Sequence, residues 1–271
     1  MQARTPEDFG DDVAVTGSRV RARLTAVGWA LALLGGSALA SCSAPGDQRA
    51  SAPAATGTPT YHPQWHSVAP FGSWQDHGFD VANNEWNKSE AGPQLIWANS
   101  FHQWGVASTQ PPTRSVKTYP CVQANFKNPP LTSFTKLTST FAESMPSSAN
   151  VYAEAAYDIW LNYNKVEVMI WVDNHGEVPL GHVLTHIQVG TQEFTVWQSG
   201  PNMFSFVLGY PQETTGQVDI LSFFQWLVSH RFLSGSDTMT QVNFGWEISS
   251  TDGVSQNFEV RNYSLSASFV G

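Results

Sequence analysis

The nine residues Lys165 to Asp173, KVEVMIWVD, decide the fold. Val166, Val168, Ile170 and Val172 alternate with Glu167, Met169, Trp171 and Asp173, the two-residue period of a β-strand whose successive side chains point to opposite faces. One face is wholly aliphatic. The other sets Glu167 beside a methionine and a tryptophan, whereas an ordinary solvated face is polar throughout. A glutamate on a partly apolar surface is the anomaly that the rest of the chain has to explain.

The same pattern recurs on either side. In VYAEAAYDIWL, Val151 to Leu161, residues Val151, Ala153, Ala155, Tyr157 and Ile159 share one side, and Asp158 lies on the other with Tyr152 and Trp160. In TQVNFGWEIS, Thr240 to Ser249, the core side is Val242, Phe244, Trp246 and Ile248, opposite Gln241, Asn243, Gly245 and Glu247. Further short runs, EFTVWQ (Glu193 to Gln198) and MFSFVLGY (Met203 to Tyr210), are bounded by Gly, Pro, Asn and Asp, as in sandwiches and jelly rolls. Thr251-Asp252-Gly253 marks a turn into a last strand pair over Asn257 to Val270. There the alternation changes phase, from Phe258 and Val260 to Tyr263, Leu265 and Phe269, which predicts a bulge near Arg261 and Asn262. One segment is different. In QVDILSFFQWLVSHRFL, Ile220, Phe223, Phe224, Leu227 and Val228 recur at three- and four-residue spacing, with Gly235 just beyond, predicting a single amphipathic helix. The expectation is an all-β fold, a β-jelly roll or two-sheet curved sandwich, with one α-helix packed on the convex back.

Composition narrows the function. The 271 residues carry a net charge of -9, with 13% charged and 13% aromatic residues, including 11 Trp. Few cations and a negative balance exclude a nucleic-acid partner, whose phosphates need Lys and Arg. Flat rings with few charges suit a sugar, because aromatic faces stack on pyranose rings while neutral amides reach the hydroxyls. A Trp-rich core accounts for several of those rings.

The first sixty residues stand apart. Arg19, Arg21 and Arg23 precede LTAVGWALALLGGSALA, Leu24 to Ala40, the basic, apolar and small-residue layout of a secretory signal. It is short and glycine-interrupted for a membrane span of roughly 20 apolar residues. LASC, Leu39 to Cys42, follows at once and resembles the bacterial lipobox, whose cysteine is acylated and becomes the new N-terminus. A plain signal cut nearby and an uncleaved anchor are the alternatives. Residues 43–60, SAPGDQRASAPAATGTPT, have no apolar period and read as a flexible tether. The expected organisation is a signal peptide with lipobox over 1–42, the linker over 43–60 and one domain over 61–271. The mature chain is then secreted or extracytoplasmic, anchored to the membrane only through the N-terminal lipid or signal segment on Cys42, and monomeric. Cys121 is the only other thiol, so lipidation of Cys42 leaves no partner for a disulfide; Cys121 reads as a buried small hydrophobe.

Three strands thus place a carboxylate mid-strand, on the face away from the aliphatic one. Paired carboxylates are what glycosidic bond cleavage requires: one protonated to donate to the leaving oxygen, the other ionised to attack or to activate water. Water-facing glutamates on edge strands are the plain alternative.

At these residues a family resemblance appears. EVMIW (Glu167 to Trp171), a loop with PLG (Pro179 to Gly181) and FGWEI (Phe244 to Ile248) resemble glycoside hydrolase family 12, the compact β-jelly-roll endoglucanases. NNEWN (Asn83 to Asn87), SVKTYP (Ser115 to Pro120), AAYDIWL (Ala155 to Leu161) and SFFQWLV (Ser222 to Val228) are similar to that family's segments in the same order. The likeness runs from about Phe79 to the end. It implies Glu167 as nucleophile, Glu247 as acid/base and Asp158 as the aspartate that hydrogen-bonds the nucleophile. It further implies Asn84, Trp86 and Met169 as substrate-binding residues, with Trp86 a stacking platform; Trp171 shares the face by alternation, as a wall or as simple packing. The implied activity is an endo-acting, retaining β-1,4-glucanase on cellulose-type, xyloglucan or mixed-linkage β-glucan, without cofactor or metal. Many members carry a disulfide near the start of the domain, from which this chain departs. Its loop VDNHGEVPLG brings His175 and Glu177 beside the expected site.

Other chemistries have little support. His175, His182 and His186 lack the HExxH or CxxC spacing of a zinc site, and no GxSxG elbow suggests a serine nucleophile. The competing reading from another class is a non-catalytic β-glucan-binding surface lipoprotein on the same fold. Retention of Glu167, Glu247 and Asp158 disfavours it, because a pure binder gains nothing from buried carboxyls that cost stability.

Overall fold

The computed structural model describes residues 63–270. The signal, lipobox and linker expected over 1–60, Cys42 included, lie outside the described residues. In chain order the strands are β1 (Trp65–Ser67), β2 (Ser73–Asp76), β3 (Phe79–Ala82), β4 (Gln94–Ser100) and β5 (Gln103–Ser108). They continue with β6 (Cys121–Asn125), β7 (Phe134–Ser144), β8 (Val151–Leu161), β9 (Val166–His175) and β10 (His182–Val189). The last are β11 (Gln192–Gln198), β12 (Met203–Leu208), β13 (Thr215–Asp219), β14 (Met239–Thr251) and β15 (Gln256–Phe269), with the helix α1 (Ile220–Ser229) between β13 and β14.

Six strands form one sheet in the order β1-β4-β5-β15-β7-β13, and nine form the other in the order β10-β11-β12-β9-β8-β14-β6-β3-β2. All pairings are antiparallel except β12 with β9. Two curved sheets and a single α-helix among the described residues make the expected jelly-roll sandwich.

The aliphatic and aromatic faces read from alternation meet between the sheets. Phe244 of β14 lies 4.7 Å from Tyr157 of β8, 5.4 Å from Phe141 of β7 and 5.7 Å from Tyr263 of β15, ring centre to ring centre. The Tyr157 hydroxyl donates to Ser139 Oγ at 2.9 Å, whereas the Tyr263 hydroxyl of the same cluster is buried without a partner. Trp104 and Trp246 are fully buried and meet edge to face at 5.1 Å, which places two tryptophans in the core. Trp246 Nε1 donates to Glu143 Oε2 at 3.0 Å. The helix sits on the core side of the nine-stranded sheet: Phe223 contacts Phe194 of β11 and Phe206 of β12 at 4.9 and 5.0 Å.

Two local expectations are corrected. The C-terminal segment is one continuous strand, β15, which pairs with β5 through Val260 and with β7 from Glu259 onward. The phase change near Arg261 is present as a register shift between Val260 and Asn262; it lets a single strand serve both neighbours, so no second strand is needed. In β9 the alternation holds only to Trp171. Ala156 of β8 faces Trp171 while Ala155 faces Asp173, leaving Val172 as the extra residue of a bulge. Asp173 therefore shares the core side with Ala155 and lies beside Glu143 of the opposite sheet, not on the face of Glu167.

Candidate active site

The face of the nine-stranded sheet turned from the core collects the anomalous residues. β8 is the middle strand of three. Its Trp160 pairs with Glu167 and its Asp158 with Met169 of β9, and on the other side Asp158 pairs with Asn243 and Glu154 with Glu247 of β14. Directly paired residues point to the same side of a sheet. Glu167, Asp158 and Glu247 therefore share one face, with one strand between the two glutamates.

Under them lies a second apolar cluster, separate from the main core, of Ala156, Met169 and Trp171 with Met203 and Val207 of β12 against it. Met169 and Trp171 are 2% and 4% exposed, so both form a packed floor. Trp171 Nε1 is buried without a partner. Cys121 is buried on β6 opposite Gly245, and burial pushes its thiol far up.

Three motifs distant in sequence are knitted at one end of this face. The segment Ser115 to Pro120 bonds to β14, with Lys117 N to Ile248 O and Ile248 N to Thr118 O, both at 3.1 Å. The same segment holds the NNEWN turn: Tyr119 N donates to Asn84 O and Asn84 Nδ2 donates to Tyr119 O, each at 3.1 Å. Asn84 has φ 42°, the left-handed conformation that asparagine tolerates best after glycine. Asn84 and Trp86 are both half-buried. Gly245, between Asn243 and Glu247, leaves room for this crossing, since an added Cβ would stand 1.9 Å from Pro120 O.

The carboxyls are starved of cations. Burial raises Glu167 well above the usual carboxyl range, helped first by the charge of Asp158 and then by that of Glu247. Asp158 is pushed up to about 7 by burial, against the hydrogen bond from Trp160 Nε1 to its Oδ2 at 2.8 Å. Its Oδ1 has no donor. Glu247 is also raised by burial, opposed by a contact with the carboxyl of Glu154. Glu177, in the loop after β9, is raised by burial too, with the charge of Glu247 adding to the rise and those of Arg114 and Lys117 opposing it. That loop is closed by Asn174, whose side chain bonds Glu177 N and O at 2.9 and 3.0 Å. His175 Nδ1 is 2.6 Å from Val151 O. Such a face can hold some carboxyls protonated and others ionised at one pH, the division of labour that acid–base work needs.

Sequence reasoning passed over Glu154. It is fully buried, and the alternation of VYAEAAYDIWL puts it on the side of Asp158, so the signal was present.

Fold and site together define a jelly-roll protein with a carboxyl-lined face. Residues 77–268 match the family model described as Glycosyl hydrolase family 12, and the chain belongs to that family. Among solved structures it is similar to the xyloglucanase domain of NopAA, a type three effector from Sinorhizobium fredii, in complex with cellobiose, at 30% identity and TM-score 0.69, covering 76% of this chain and 100% of that one. It is similar in fold to a family 12 xyloglucanase from Bacillus licheniformis (20% identity, TM-score 0.66, 75% of this chain, 100% of that). The family 12 endoglucanase 3 of Trichoderma harzianum is comparable (22% identity, TM-score 0.67, 75% and 97%). A comparison with curated proteins gave no match.

Proposed function

We propose that this glycoside hydrolase is an endo-acting, retaining β-1,4-glucanase, with Glu167 as nucleophile and Glu247 as acid/base. The observation that carries the reading is the shared face: two glutamates on strands that flank β8, each raised by burial, above an apolar floor. In the first step the Glu167 carboxylate bonds to the anomeric carbon. Glu247 gives its proton to the glycosidic oxygen, which leaves with the bonding electron pair. In the second, water attacks the same carbon, gives a proton to Glu247, and the ester to Glu167 breaks. Asp158 holds a proton against Glu167, stabilising its ionised form. Trp86 is proposed to stack on a sugar ring and Asn84 to meet a hydroxyl, while Met169 and Trp171 floor the reacting sugar.

The substrate class is a β-glucan, and xyloglucan is favoured. Support comes from the 30%-identical neighbour, described as a xyloglucanase domain and bound to cellobiose. Initial rates on xyloglucan, carboxymethyl-cellulose and mixed-linkage glucan test this: xyloglucan should lead, and equal or lower rates on it would shift the assignment to plain β-1,4-glucan. Lipidation of Cys42 is proposed on the LASC layout alone. Radiolabelled fatty acid should enter the wild type and not Cys42→Ala.

A further inference from the structure

Glu154 is a buried carboxyl on the same face that the proposed catalytic trio leaves unused. It is fully buried, and neither carboxyl oxygen has a donor. Across the ladder its direct partner on β14 is Glu247, and on the other side it faces Asn174 of β9. The groups packed around it offer no cation. The Glu177 carboxyl approaches from the loop after β9, and the buried Tyr119 hydroxyl is already committed to Ala156 O at 3.0 Å. Arg114 is occupied over the Tyr152 ring, 3.3 Å from its centre, and with Gly176 O at 2.7 Å. Lys117 Nζ is spent on the carbonyls of Ser115 and Ser249. Asp158 stands four residues along the same strand and the same face.

A carboxylate so placed would be an unpaired buried charge beside another carboxyl, an arrangement that neutralises by taking up a proton. We propose that Glu154 is a positioning residue for Glu247: it keeps its own proton through the catalytic cycle and donates a hydrogen bond to the Glu247 carboxylate whenever Glu247 has given its proton away. The inference rests on Glu247 as acid/base. After glycosidic oxygen protonation, Glu247 is an anion in an apolar site, and the Glu154 O–H is the donor that faces it. When water returns a proton to Glu247, that bond relaxes and Glu154 is unchanged. Burial and the charges of Glu247 and Glu177 all favour the protonated form of Glu154, while the contact with Glu154 favours ionisation of Glu247. A carboxylic acid is a stronger donor to a carboxylate than an amide, and a leucine side chain offers no donor at all. Glu154 thus makes Glu247 a stronger acid than its burial alone would allow.

Two measurements on the whole chain separate this from the catalytic reading. In protein carrying 13C at the glutamate carboxyls, the Glu247 signal, identified by its loss in Glu247→Gln, is titrated in wild type, Glu154→Gln and Glu154→Leu. Its midpoint should rise by about half to one pH unit in the glutamine variant and further in the leucine variant; the near-isosteric glutamine keeps the test alive if leucine misfolds. An unmoved or lowered midpoint in Glu154→Gln overturns the proposal whatever reaction the protein catalyses. The alkaline limb of kcat/KM on a β-glucan oligosaccharide should move upward by the same amount. If the midpoint moves while the limb does not, the pairing stands as a contact and the catalytic part of the proposal, together with Glu247 as acid/base, falls.

Discussion

The proposed mechanism requires opposite protonation states of Glu167 and Glu247 at one moment, yet burial pushes both toward the neutral form. Neighbours must break that symmetry. In the proposed mechanism Asp158, raised to about 7, holds the proton and donates it as a hydrogen bond to the Glu167 carboxylate. In Asp158→Asn the weaker amide donor should slow turnover and move the acid limb of kcat/KM upward by about half a pH unit, read from the pH–rate profile; an unchanged limb would show no coupling. Gly245 acts by absence of a side chain. Gly245→Ala should cost about 1–3 kcal/mol in chemical denaturation, because the new Cβ meets the Pro120 carbonyl. Alternation alone exposed Glu167, Asp158 and Glu247 in the sequence, since a carboxylate amid Met, Trp and Tyr stands out. Glu154 was hidden among alanines, where a lone glutamate looks like a solvated position. Asp173 was misread because a bulge at Val172 carries no glycine or proline to announce it.

Elements were legible in proportion to how local their cause is. β8 spans the same residues as the run VYAEAAYDIWL, because eleven alternating residues leave no other period. The helical pattern of Gln217 to Leu233 gave α1 only over Ile220–Ser229. Its first residues are taken by β13, which pairs with β7 across the sheet edge, a partner that periodicity cannot reveal. The merging of a supposed strand pair into β15 has the same origin. α1 supports the sheet from the side opposite the carboxyls. Phe223→Ala should therefore cost about 3–5 kcal/mol of stability while kcat of the folded fraction stays within about twofold, a contrast that denaturation and steady-state assays would expose. A comparable loss of kcat would mean that the helix shapes the site.

At the scale of the molecule, buried carboxyls set the pH dependence of stability. Glu143, locked between the sheets and bonded to Trp246, is raised to about 8, chiefly by burial, with the Asp173 carboxyl adding to it. The folded chain keeps this proton after the unfolded chain has lost its own. Stability from this group is full below about 4.5 and drains away as pH rises toward about 8, at up to about 1.4 kcal/mol per unit. Asp158 and Glu154 act in the same direction. Denaturant midpoints should be higher at pH 5 than at pH 8, and Glu143→Gln should flatten the slope. Fold class was readable from strand pattern and turn residues, whereas the pairing order of the two sheets was not, because nonlocal partners leave no mark in a single chain. The most direct test of the whole account is mass spectrometry of the protein inactivated by a 2-deoxy-2-fluoro cellobioside with a good leaving group. A stoichiometric adduct whose label maps to Glu167 is expected; absence of any adduct, or a label on another residue, would rule out Glu167 as nucleophile.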